Sequence, residues 1–425
     1  MNKKLFISSF FRPGINDMST AIIANGTSPY STIEKNKTRR IESIDLLRGV
    51  VMIIMALDHV RDYFHYDAFI YSPTDLSHTN VLLFFTRWIT HFCAPVFVFL
   101  AGVSAYLYGV KRNKRELSFF LFTRGIWLVL AELFILSLFR TFNPTYTYFN
   151  LQVIWAIGCC MIALSAIVYM NRSIILLIAI LLIAAHNLFD TVHVQGNNFS
   201  AFLWSFLHEV KRFTFGRFTL FVHYPILPWV GIMTLGYYSG SLYVSSYDSA
   251  KRRRILFLSG TGFILLFIIL RSGNFFGDAA QWSLQKQPIF SFLSFLNVTK
   301  YPPSLLYTLI TLGPALVFLA CSEKPLTALT TKVTIFGRVA MFYYLAHILL
   351  IHIIAAIAAL ITGYPDMIVL DNSVNDTIAL NGYGFNLIIV YIIWVGLVFL
   401  LYPFCKWFDQ YKRTHLSTQW WLSYL

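Results

Sequence analysis

Charge is scarce in this 425-residue chain: 12% of its residues are Asp, Glu, Lys or Arg, 57% are apolar and 17% aromatic. Mean hydropathy is +0.64. No water-soluble domain of this length has that balance, so the chain reads as an all-α, polytopic membrane protein embedded in a lipid bilayer. Cysteine is scarce as well. Cys93, Cys159, Cys160, Cys321 and Cys405 all sit in apolar segments without ligand spacing, which argues against a disulfide framework and a zinc site, and no metal is expected. A phosphate-cradling glycine loop, HExxH, GxSxG and the matched halves of a duplicated transporter are missing too. The net charge of +14 does not mark a nucleic-acid binder, because the basic residues fall in short clusters between apolar runs, where they set topology. The first 40 residues lack the apolar core of a signal peptide and are expected to form a disordered cytoplasmic tail.

Apolar stretches occur near 43–64, 81–110, 117–139, 150–170, 173–190, 223–245, 254–271, 301–321, 335–361 and 385–408. They predict about ten transmembrane helices in a single domain over 41–410, followed by a cytoplasmic tail at 411–425. KNKTRR, KRNKR (111–115), KRRR (251–254) and the tail with Lys406, Lys412 and Arg413 fall on one side. Loops 65–80 and 363–384 carry no Lys or Arg and fall on the other, which puts both termini in the cytoplasm. Two longer outer loops, 191–222 and 272–300, do carry basic residues and leave room for an outward-facing site.

The first apolar stretch, SIDLLRGVVMIIMALDHVRDYF, holds the densest chemistry. Arg48 and His59 are eleven residues apart, about 20° past three helical turns, so they share a face, and Asp45 and Asp62 lie close to it. An Asp or Arg at a helix centre costs roughly 2.5–3.5 kcal/mol on insertion scales, so a polar stripe three turns long points to a site. Arg48 lies near the cytoplasmic end, and His59 about 16 Å further along, in the outer half. Asp62, one turn on, is placed to orient the imidazole as a carboxylate does for a catalytic histidine. Asp58 and Arg61 are three apart and are also placed to neutralise each other.

The second stretch, TRWITHFCAPVFVFLAG, sets Arg87 and His91 on one face. Pro95 clashes with the His91 carbonyl, predicting a kink with a freed acceptor there, beside the small-residue patch AGVSA. HYPILPWVG starts at His223, KYPPS at Lys300, and GRVAMFYYLAHILLIH carries Arg338, His347 and His352 in one helix. Single histidines in a bundle are more often hydrogen-bonded core residues than catalysts.

Taken together, IDLLRGVVMIIMALDHVRDYFH, HFCAPVFVFLAGVSAYL, HYPILPWVGIMTLGYYSG, KYPPSLLYTLITLGPAL and GRVAMFYYLAHILLIH resemble the bacterial membrane proteins related to heparan-alpha-glucosaminide N-acetyltransferase, over essentially all of 40–408. The Arg48–His59 spacing is also similar to that of the acyltransferase-3 membrane enzymes. The resemblance implies a multi-pass acyltransferase of the bacterial inner membrane. It would take an acetyl or other acyl group from cytoplasmic acetyl-CoA or another acyl-CoA and pass it to an amine or hydroxyl of a sugar or glycan on the far side. The essential histidine of the human relative lies in the loop after the first helix, where this chain offers His65 and His78. On this reading His59, with Asp58, Asp62 and His91, forms the catalytic group. Arg48, Arg87, His65, His223, Lys300, Arg338 and His347 bind donor or acceptor. A homodimer is allowed for. The competing readings are a proton-coupled transporter, since buried Asp/His/Arg chains also relay protons, and a non-catalytic scaffold whose charges fix helix register.

Overall fold

The structure, a computed structural model, describes residues 41–370 and 378–423. The expected disordered tail at 1–40 lies outside the described residues. Thirteen helices follow one another among them. They are α1 (Glu42–Phe64), α2 (Val81–Gly109), α3 (Lys114–Thr141), α4 (Val153–Ile167), α5 (Arg172–Ala184), α6 (Phe199–Leu207), α7 (Leu227–Ser239), α8 (Ser249–Gly273), α9 (Pro288–Leu296), α10 (Leu305–Cys321), α11 (Ala328–Arg338), α12 (Ala340–Thr362) and α13 (Leu387–His415). Five of them, α2, α3, α8, α12 and α13, are long and apolar enough to cross a membrane. α1 has the length, but every stretch of 18 residues in it holds at least three charged residues.

Eight helices begin at a residue whose side chain accepts the N–H three positions on: Asn80, Asn113, Asn171, Asn198, Asp248, Ser304, Thr327 and Asn386. Each such cap contributes about 1 kcal/mol and makes the helix start legible in the sequence. α1 lies at the centre, packed against α2, α11, α12 and α13. α8 and α13 keep little of their apolar surface inside, and Ile388, Ile392 and Phe399 point outward. The polarity is thus reversed from a soluble bundle, with Asp45, Arg61, Glu132, Arg140 and His347 buried among the helices. α2 and α7 touch backbone to backbone. A Cβ added to Gly102 would stand 2.0 Å from the Met233 carbonyl oxygen, and one on Gly236 2.0 Å from that of Phe99. This is the close approach expected of the AGVSA patch.

Four features differ from the sequence expectation. The all-α reading misses a three-stranded sheet of β1 (Tyr148–Leu151), β2 (Lys211–Phe215) and β3 (Phe218–Val222) in the order β1-β3-β2, with β1 parallel and β2 antiparallel to β3. Its hairpin turns at Gly216, φ +58°, flanked by the alternating segment KRFTFGRFTLFV. Arg338 does not share a helix with His347, because the chain breaks at Val339 (φ −120°, ψ 38°) between α11 and α12. The stretch from 223 becomes helical only at Leu227, with Pro228 in its first turn, where a missing N–H costs nothing. The last helix runs past 408 to His415.

Candidate active site

Beside the C-terminal half of α1 lies a cavity of about 410 Å³. α1 lines it with Asp58, His59, Arg61 and Asp62, α2 with Arg87, and the loop after α1 with residues 68–73. β3 ends at Val222, so the next residues, His223 and Tyr224, are delivered to the cavity wall. Lys300 and Tyr301, in the turn ahead of α10, complete the polar lining. Six of the residues expected at a site from sequence, Asp58, His59, Asp62, Arg87, His223 and Lys300, are therefore brought together from four segments of the chain.

The charges are arranged in a ladder. Asp58 accepts from Arg61 at 2.8 Å on one oxygen and from Arg87 at 2.5 Å on the other. Asp62, half-exposed, accepts from the same Arg61 nitrogen at 2.6 Å. Arg87 also donates to the Thr90 hydroxyl at 3.0 Å. Lys300 stands 5.0 Å from the centre of the Tyr301 ring, whose hydroxyl is 3.3 Å from that of Tyr224. Three formal cations face two carboxylates on this wall, which favours an anionic ligand.

The expected pairing of Asp62 with His59 does not form, because Arg61 takes both neighbouring carboxylates. The His59 ring instead faces α12, 5.3 Å from the His347 ring and 6.2 Å, edge-on, from Tyr344. His347 Nδ1 is 2.7 Å from the Tyr343 carbonyl oxygen and so carries the proton, which leaves Nε2 as a buried acceptor without a partner. The polar neighbour of His59 is thus a neutral imidazole rather than a carboxylate. His347 itself supports the site from behind and does not line the cavity.

Sequence reasoning passed over the network under this pair. Glu132, fully buried in a π-helical turn of α3, accepts from Arg140 on one oxygen and from the backbone N–H groups of Ile154 and Trp155 at 3.1 and 3.2 Å on the other. It therefore neutralises Arg140 and caps α4 at once. Arg140 donates to the Tyr344 hydroxyl at 2.7 Å, and its carbonyl accepts from Tyr63 at 2.6 Å. The signal was available: Glu132 is the only acidic residue in the apolar stretch 117–139, and Arg140 follows eight positions later.

The remaining expected residues lie elsewhere. His91 sits at the break in α2, a 3-10 turn over Thr90–Phe92, where its freed carbonyl accepts from the Tyr307 hydroxyl at 2.7 Å. Its buried ring packs on Tyr307 and does not line the cavity. His65 ends α1, where burial pulls its imidazole below the usual range, and Nδ1 accepts from the Asp67 N–H at 3.2 Å. Arg48 and Arg338 meet at the other end of α1. Arg48 bonds Asp45 and the Gly337 carbonyl, each at 3.3 Å, and Ser104 at 3.1 Å. Arg338 is 3.6 Å from Asp45 and 3.7 Å from Asp409. They tie α1, α2, α11 and α13 together and are absent from the cavity lining.

Residues 40–270 match the family model described as heparan-alpha-glucosaminide N-acetyltransferase, catalytic. The chain belongs to this family. Membership assigns a membrane acyltransferase of N-acetyltransferase-like activity, and the matched region carries every α1, α2 and β3-end residue of the cavity. Lys300, Tyr301 and His347 come from the segment beyond it. No curated protein sequence matches the chain.

Proposed function

We propose that the cavity beside α1 transfers an acetyl group, or another short acyl group, from acyl-CoA to an amine or hydroxyl of a sugar or glycan reaching it from the outer face. One observation carries the reading. His59, with no carboxylate partner, lines a cavity of about 410 Å³ together with three cations, Arg61, Arg87 and Lys300, in a chain of an acetyltransferase family.

His59 takes the proton from the acceptor nitrogen or oxygen as that atom attacks the thioester carbonyl. The tetrahedral oxyanion is stabilised by Lys300 and the Tyr301 hydroxyl, and its collapse breaks the C–S bond. The leaving CoA thiolate receives the proton that His59 holds, so the base is restored and no metal is needed. Arg87, fixed by Asp58, and Arg61 hold donor phosphates. His223 contacts the acceptor, and His347 positions His59. Asp58 and Asp62 hold the arginines rather than act as bases. Arg48, Arg338, His65 and His91 are supporting residues.

The same reading takes ten helices, α1–α5, α7, α8, α10, α12 and α13, as crossings, with both termini cytoplasmic in a bacterial inner membrane. The lining residues 68–73 come from a loop without Lys or Arg, which supports an outward opening.

Full-length protein in proteoliposomes, given labelled acetyl-CoA and glucosamine, should release one CoA for each acetylated sugar formed. Absence of CoA release with both amino and neutral sugars would overturn the proposal.

A further inference from the structure

Away from the cavity, the end of α5 and the end of α6 bring His186, Asp190 and His208 together. One donor atom from each lies within 4.8 Å of the others. The sequence separates them by as much as 22 positions and shows no ligand motif, so no metal was expected here. His186 is 1% exposed, yet neither of its ring nitrogens has a hydrogen-bond partner, and His208 Nδ1 is also buried without one. A buried imidazole whose nitrogens lack well-formed hydrogen bonds is costly unless something else satisfies it. The backbone of Pro303 lies close to the His186 ring, short of a well-formed hydrogen bond, and a backbone carbonyl is a common partner for the second nitrogen of a metal-bound histidine.

One edge of this triangle already stands at ligand spacing. His208 Nε2 is 3.1 Å from Asp190 Oδ1, close to the donor separation of about 3.3 Å expected around tetrahedral zinc. Asp190 Oδ2 accepts from Asn187 at 2.8 Å, which orients the carboxylate, and Asn187 accepts from the Leu305 N–H at 3.0 Å. Phe189 and Trp204 close the other side of His208, at 6.2 and 5.3 Å between ring centres. Asp190 borders a cavity of about 210 Å³, which offers an entry path and a water as fourth ligand.

We infer that His186, Asp190 and His208 form a structural site for a divalent transition cation, with zinc the ion that two imidazoles, one carboxylate and this enclosure fit best. The cation joins the end of α5 to the end of α6 and stands behind Pro303–Leu305, the segment that follows Lys300 and Tyr301 in the catalytic wall.

The test is metal content, so it stands apart from any assay of acyl transfer. Full-length protein in detergent is saturated with zinc, freed of excess ion, and measured by mass spectrometry. The wild type should retain about one zinc per chain, while His186→Ala and Asp190→Asn should retain less than about a tenth of that. His193→Ala, at an exposed histidine paired with Glu209, should match the wild type. Chelation should lower the Tm of the wild type and leave that of Asp190→Asn unchanged, a comparison that holds even if His186→Ala fails to fold. Retention below about 0.1 zinc per wild-type chain, or equal retention in wild type and Asp190→Asn, would overturn the site and show a plain Asp190–His208 hydrogen bond.

Discussion

Replacing Glu132 by Gln removes the carboxylate bonded to Arg140 while keeping an oxygen for the Ile154 and Trp155 N–H groups. At an effective dielectric of 20, opposite charges about 4 Å apart attract by about 4 kcal/mol, and stranding one member of a buried pair costs about 3–5 kcal/mol. Glu132→Gln should therefore lose about 3–5 kcal/mol. Glu132→Ala should lose roughly 1–3 kcal/mol more, because two N–H groups at the start of α4 then have no acceptor. Arg140→Met is also costly on its own, since Glu132 is left buried and charged and Tyr344 loses its donor. In the double variant Glu132→Gln/Arg140→Met no charge remains to be stranded, so the two costs should fall short of additive by at least about 2 kcal/mol. Equilibrium unfolding in mixed detergent micelles reads all four. A loss below about 1 kcal/mol for Glu132→Gln, or simple additivity, would show that the pair is not the buried link supporting Tyr344 and His59.

The helix contacts and the α1 terminus give further expectations. Gly236→Ala should destabilise by about 1–3 kcal/mol, because its Cβ meets the Phe99 carbonyl, whereas Gly262→Ala, with nothing within 4 Å, should be neutral or stabilising by up to about 1 kcal/mol. The same unfolding assay separates the two, and equal effects would discount the close packing of α2 on α7. Tyr307→Phe should lower stability by about 1–2 kcal/mol by leaving the His91 carbonyl unpaired, and a shift within error would mean that water takes the tyrosine's place. His65 is held neutral by burial, so the unfolded chain binds the proton more readily than the folded one. Stability should then fall as pH drops through the ordinary histidine range near 6.5, and part of that loss should vanish in His65→Gln. Parallel Tm profiles for the two proteins between pH 5 and 8 would refute it.

How much was legible follows from what each signal depends on. Helix starts are local: a capping Asn, Asp or Ser states its own purpose, and ten apolar stretches predicted from hydropathy each contain a helix. The kink at Pro95 was equally local, since the clash and the freed His91 carbonyl follow from one ring. The partner of that carbonyl, Tyr307, lies 216 positions away and could not be read. The pairing of His59 failed for a related reason. Spacing along one helix brought Asp62 into range, but the competition among Arg61, Arg87 and two carboxylates is decided in three dimensions. The sheet was missed because hydrophobic length dominated the reading of loop 191–222, although Gly216 between alternating residues was a turn signal. His186, Asp190 and His208 met only through folding.

Acyl transfer in the α1 cavity, as proposed, depends on His59 as the base. The most direct test is acetyl transfer from labelled acetyl-CoA to glucosamine by the His59→Ala variant in proteoliposomes, with its Tm recorded alongside. The expected result is a rate loss of at least about a hundredfold at an unchanged Tm. Activity within about twofold of wild type in the folded variant would contradict the assignment.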